Sequence, residues 1–102
     1  MELILTGTPV PAEEAARIGL VNRVVPAAAL MTEVRALAAQ LARNAPIAMR
    51  YILSAITHGV EMPFAAACDY EATLFGLVAA TEDMREGTRA FLEKRKPVFR
   101  GQ

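Results

Sequence analysis

Apolar residues at Leu30, Val34, Leu37, Ala38 and Leu41 recur at helical spacing, with Thr32, Glu33, Arg35 and Gln40 around the rest of each turn. The spacing predicts a helix over residues 27–43, broken by Asn44 and Pro46. Pro46 also opens the next helix, where a missing amide donor costs nothing. There Ile47, Tyr51 and Ala55 form one stripe, with Ile52 and Ile56 beside it. Few charges flank this helix, so it is expected to be buried on more than one side. His58 and Gly59 close it, and His58 is expected to complement the helix C-terminus or face solvent. A third long helix is predicted over residues 63–80, with Phe64, Ala67, Cys68, Glu71, Phe75 and Val78 on one face. Glu71 is the odd member of that stripe, either a buried ion-pair partner or a residue at its edge. Thr81 is a good N-cap for a last helix, with Glu82, Asp83 and Glu86 near its positive end and Lys94, Arg95 and Lys96 at its negative end. Met84, Thr88 and Phe91 line one face, and Pro97 is the expected terminator.

The first third is more broken. MELILTG reads as the last turns of a helix or a short strand, closed by Gly7. No capping signal precedes it, so the expectation is that sequence is missing upstream of Met1. The TPVP turn is stiffened by two prolines. In AEEAARIGL, Glu13 and Glu14 fall in the first helical turn, where the dipole favours negative charge, and Gly19 is placed to stop the helix in a left-handed conformation. VNRVVP, residues 21–26, is β-branched and reads as an extended segment or edge strand ended by proline. The fold class expected is therefore mainly α, with one short extended segment.

Composition narrows the class. The 102 residues are 54% hydrophobic and rich in alanine, which favours close-packed helices. Formal net charge is zero, so nucleic acid is not an expected partner. The single Cys68 has no disulfide partner in the chain and is expected to be a buried structural thiol. No signal peptide is visible and no apolar run is long enough to span a membrane, which makes a cytoplasmic setting the expectation.

Candidate chemistry is sparse. GxSxG, HExxH, CxxC and glycine-rich phosphate loops are all absent, and no metal-ligand cluster stands out. Glu82, Asp83 and Glu86 read as caps, because a helix N-terminus stabilises the ionised form of all three rather than splitting their pKa values. The charge pattern of the tail remains. Of eleven Lys and Arg residues, six lie from Arg85 onward. Phe91 and Lys94 are three apart, which on a helix places them on one face. A ring beside an ammonium group can stack on adenine and attract phosphate. The bland reading, Phe91 in a core and the lysines solvated, has the better support from these residues alone.

Taken together, MELILTG, AEEAARIGLVNRVVP, LARNAPIAM and YEATLFGLVAATEDMREGTRAFLEKRKPVF are similar, in order and spacing, to the C-terminal part of the enoyl-CoA hydratase/isomerase (crotonase) family. The resemblance covers residues 1–100. It implies that residues 1–26 are the end of a spiral core and its link, and residues 27–102 a helical trimerisation region. It implies an acyl-CoA substrate, no covalently bound cofactor, no metal, and a homo-oligomer (a trimer or dimer of trimers). In such proteins the oxyanion hole and acid–base carboxylates lie in an N-terminal segment, so the resemblance implies no catalytic residue in this chain and no activity of the chain alone. Phe91 and Lys94 match positions that approach the adenine and phosphate of coenzyme A, often from a neighbouring subunit, and Phe75 matches an aromatic near the acyl end. Two departures stand out: Leu53 where many members carry lysine, and Ala79 where many carry an aromatic. The second leaves acyl-chain preference open. The competing expectation is a free-standing helical oligomerisation or binding module without activity.

Overall fold

The computed structural model describes residues 1–102, which form six α-helices and one 3-10 turn and no β-strand. They divide into two compact units, Met1–Leu37 and Ala38–Gln102.

In the first unit, α1 (Glu2–Thr6) and α2 (Ala12–Arg17) are short because glycine ends each one. Gly7 has φ 62 and donates its amide to the Leu3 carbonyl at 3.2 Å. Gly19 has φ 76, with the paired bonds of a Schellman ending: Gly19 N–H to the Ala16 carbonyl and Leu20 N–H to the Ala15 carbonyl. The expected left-handed stop at Gly19 is present, and α1 is a helix rather than a strand. Residues 21–26 bend and then run irregularly, so the edge-strand reading is corrected. The β-branched residues there have no neighbouring strand, and β preference without a ladder partner makes no strand. A 3-10 turn (Ala27–Ala29) follows and leads into α3 (Leu30–Ala42). Leu30, Val34 and Leu37 line a cavity of about 240 Å³ with Val25, so the predicted stripe does face one side.

The second unit is built on α4 (Pro46–Gly59), α5 (Phe64–Ala79) and α6 (Glu82–Leu92). Pro46 occupies the first turn of α4, as expected. α4 and α5 pack against each other with residue numbers running in opposite senses. At one end Ser54 Oγ lies 2.7 Å from the Tyr70 hydroxyl, and a Cβ placed on Gly59 would lie 3.8 Å from the Ala67 Cβ. Toward the other, Ala48 and Val78 line the same groove. Thr81 caps α6 as predicted, its Oγ1 accepting the Met84 amide at 3.1 Å.

Burial is much thinner than the pattern promised. Only Leu74, Asp83 and Ala90 are buried among residues 38–102. Ile52, Leu53 and Ile56 are more than half exposed, so α4 is covered on one side only, which corrects the expectation for that helix. Cys68 is exposed, not a buried thiol, because its side of α5 has no cover. Glu71 is exposed and makes no ion pair, which leaves it at the edge of its stripe. α6 ends at Leu92, five residues before Pro97.

Candidate functional site

The end of α6 is a Schellman ending with lysine in the place usually taken by glycine. The Arg95 amide donates to the Ala90 carbonyl at 3.0 Å and the Lys94 amide to the Phe91 carbonyl at 3.2 Å. Lys94 sits in the left-handed region at φ 53. Phe91 and Lys94 therefore do not share a helix face, because the chain has turned out of the helix between them. Phe91 is on the last turn of α6 and 82% exposed, which removes the reading that places it in a core.

The basic run is partly neutralised from within. The Arg95 guanidinium grips the Glu86 carboxylate with two bonds, at 2.6 and 2.9 Å, and its Nε donates to Glu93 at 2.6 Å. Glu86 also accepts the Val98 amide at 2.9 Å. These bonds, Arg95 first and then the Val98 amide, hold the Glu86 carboxyl down to about 2. The same pairing, to Glu86 and then Glu93, pushes Arg95 upward. Lys94 and Lys96 make no ion pair and keep their charge available to an anion.

Asp83 does something the sequence does not announce. Its carboxylate is 3% exposed and accepts two backbone amides of the tail, Arg100 N–H at 2.7 Å and Gly101 N–H at 2.8 Å. Its own amide donates to the Gln102 carbonyl at 3.0 Å. The tail, residues 98–102, is thus strapped back along α6. Gly101 takes φ 73 there, and a Cβ on it would lie 3.6 Å from Pro46 Cγ. Phe99 lies over Gly87, whose missing Cβ would meet the Phe99 ring at 3.4 Å. Asp83 and Glu86 are therefore tail anchors rather than caps. Glu82 pairs with Arg85 on the surface.

Two grooves carry two of the three predicted residues, Phe91 and Phe75, while Lys94 lines neither. One, of about 410 Å³, is lined by Ala48, Met84, Gly87, Thr88, Phe91 and Phe99 among others. The other, also about 410 Å³, lies between α4 and α5 and is lined by Tyr51, Ile52, Ile56, Leu74 and Phe75 among others. Ala48 and Val78 belong to both, so the grooves are neighbours, with Phe91 in one and Phe75 in the other. Both are mostly apolar, and neither holds an acid–base pair or a nucleophile. His58, the lone histidine, has Nδ1 2.9 Å from the Ser54 carbonyl in the last turn of α4, in keeping with its expected place at the helix end. No group of three His, Cys, Asp or Glu side chains could hold a metal ion.

The chain is thus all helical, with two mostly apolar grooves and two lysines, Lys94 and Lys96, outside any ion pair. The sequence profile of the enoyl-CoA hydratase/isomerase family matches residues 1–102, and the chain belongs to that family. It is 46% identical over 99 residues to the "Probable enoyl-CoA hydratase echA8" of Mycobacterium tuberculosis, covering 97% of this chain and 38% of that protein. It is 41% identical over 101 residues to the (E)-benzylidenesuccinyl-CoA hydratase of Thauera aromatica, covering 99% of this chain and 40% of that one. The crystal structure of an enoyl-CoA hydratase from Bacillus anthracis superposes with a TM-score of 0.94 at 38% identity, over 99% of this chain and 39% of the other. The chain thus spans about two-fifths of the length of these relatives.

No helix of the chain is long and apolar enough to cross a membrane.

Proposed function

We propose that residues 1–102 are the C-terminal segment of an enzyme that acts on acyl-CoA thioesters, most specifically an enoyl-CoA hydratase. The observation that carries this is the family match along the whole chain, together with relatives whose names specify hydration of CoA thioesters. In this reading the chain supplies assembly surfaces and the nucleotide end of the coenzyme A site. The uncovered faces of α4 and α5, with Ile52, Leu53, Ile56 and Phe64 exposed, serve subunit contacts and association into a homo-oligomer. The exposed Phe91 ring offers a face for adenine, and the Lys94 ammonium offers charge-assisted bonds to phosphate. Phe75 lies toward the acyl end, in the neighbouring groove. The amides of an oxyanion hole and the carboxylates that move the proton and activate water come from a segment other than residues 1–102.

The purified chain is accordingly expected to leave crotonyl-CoA unhydrated while still binding coenzyme A weakly. In saturation-transfer NMR the adenine protons should receive the strongest signal, and Phe91→Ala or Lys94→Ala should reduce it. Hydration of crotonyl-CoA by chain free of contaminating enzyme would overturn the division of labour. Adenine signals indifferent to both substitutions would overturn the nucleotide-end assignment.

A further inference from the structure

The strap over α6 is built with more care than a free tail requires. Five residues, 98–102, are tied by three backbone amides donating to two carboxylates and by one carbonyl accepting a helix amide. The anchoring carboxylate of Asp83 is nearly sealed from water although few side chains of residues 38–102 are buried. Charged acceptors make stronger bonds than neutral ones, and a buried carboxylate left without them would be costly. The strap reaches beyond α6 as well, since Gly101 rests against Pro46 at the start of α4. The outcome of this tying is the placement of Phe99. Its ring lies on Gly87 and lines the same groove as Phe91. The second carboxylate, Glu86, holds both Val98 of the strap and Arg95, the residue after Lys94.

We infer that Asp83 and Glu86 are positioning residues. Their clasp on residues 95–101 sets the Phe99 wall of the Phe91 groove and the turn that presents Lys94, and so shapes the site for the nucleotide end of coenzyme A. This rests on the reading of Phe91 and Lys94 given above. Asp83 borders the Phe91 groove, but both its carboxylate oxygens are taken by the Arg100 and Gly101 amides. Each carboxylate acts through the backbone it holds, and the favoured ligand is a phosphorylated adenosine rather than the pantetheine arm. The clasp spans residues 17 and 18 apart in sequence for Asp83 and 12 apart for Val98 and Glu86, which is why a local reading takes both carboxylates as helix caps.

The test breaks the clasp from both sides in the full chain. Asp83→Asn removes the charged acceptor from α6. Gly101→Val leaves α6 untouched and forces a β-branched residue into a left-handed conformation against Pro46. Affinity is measured for two probes, 3′-phosphoadenosine 5′-diphosphate and pantetheine, with Phe91→Ala as the reference variant. The Phe99–Gly87 proximity is followed by the nuclear Overhauser effect. Both clasp variants should lose that proximity and weaken the nucleotide by about tenfold, equivalent to ~1.4 kcal/mol, while pantetheine binding is unmoved. A merely structural role would weaken both probes alike, and that result overturns the inference. It is likewise overturned if Phe99 stays on Gly87 in both variants. If Phe99 detaches, nucleotide binding persists, and Phe91→Ala still weakens it, the inference fails and the function proposed above stands. If Phe91→Ala itself has no effect, the inference falls together with the part given to Phe91 in the nucleotide-end assignment.

Discussion

Lys94 holds a backbone conformation in which a side chain with a Cβ is disfavoured by about 1–2 kcal/mol, and it holds it at the ending of α6 where glycine is common. Lys94→Gly should therefore raise stability toward urea by about 1 kcal/mol, while weakening nucleotide binding if the ammonium group meets phosphate. A destabilised variant would contradict the strain assigned to that turn. Glu86 gives the second residue-scale prediction. Its folded pKa of about 2 lies below the ordinary value of 4.5, because Arg95 and then the Val98 amide favour the ionised form. The sign follows from linkage: a depressed folded pKa contributes stability that is complete above 4.5 and is lost as pH falls from there toward 2. Thermal unfolding followed across that window should show a steeper acid loss for the parent chain than for Glu86→Gln. Equal slopes would mean the carboxylate is not held by the clasp. The side chain is partly solvated, so screening limits the size of the effect without changing its direction.

At the scale of elements, α6 is a short helix that carries a glycine in its interior, which weakens it by up to about 1 kcal/mol relative to alanine. Gly87 is also the floor on which the Phe99 ring rests. The nearest approach of an added Cβ, 3.4 Å, is ordinary van der Waals contact rather than a clash. Gly87→Ala is expected to stabilise the chain by about 0.5–1 kcal/mol by helix propensity, with the Phe99–residue 87 contact retained. Loss of that contact in the alanine variant would show that the strap tolerates no added volume there. The pairing of α4 and α5 is held differently, by a polar tie between Ser54 and Tyr70 at one end and by the buried Leu74 along its length. Two helices meeting on so few buried side chains leave most of their apolar area uncovered.

Across the molecule, the dominant fact is apolar surface without cover. Phe64 is 85% exposed, Leu92 74% and Phe75 66%, and these values are far from those of core residues. Surfaces of this kind on helical faces drive association. Sedimentation velocity on the purified chain should therefore show self-association that grows with concentration. Double substitution of Ile52 and Leu53 by serine, on the open side of α4, should shift it toward monomer. A monomer at every concentration would count against assembly through that face. The chain that carries these faces spans about two-fifths of the length of its relatives.

The helices, their order and most of their ends were legible in local chemistry. Pro46 begins α4, Thr81 caps α6, and Gly7 and Gly19 stop the first two helices in left-handed conformations, because caps and stops act over three to five residues. Charge balance and the family's ordered motifs were legible too. Other things were not, among them the missing strand at residues 21–26 and the open side of α4. The hydrophobic stripe of α5 announced burial for Cys68, but periodicity reports only which residues share a face, and cover is decided by whatever packs there. The run from Leu92 to Pro97 has no glycine to mark the true end of α6, so a lysine in a left-handed turn went unread. The clasp of Asp83 and Glu86 on the tail joins residues 12 to 18 apart, beyond any helical period, and exists only once the chain has folded back. Sequence by itself determined the helical class, the order of the helices and most of their ends. Tertiary structure alone decided that two acidic residues serve the tail, because that outcome depends on contacts between residues too far apart for any local pattern to contain.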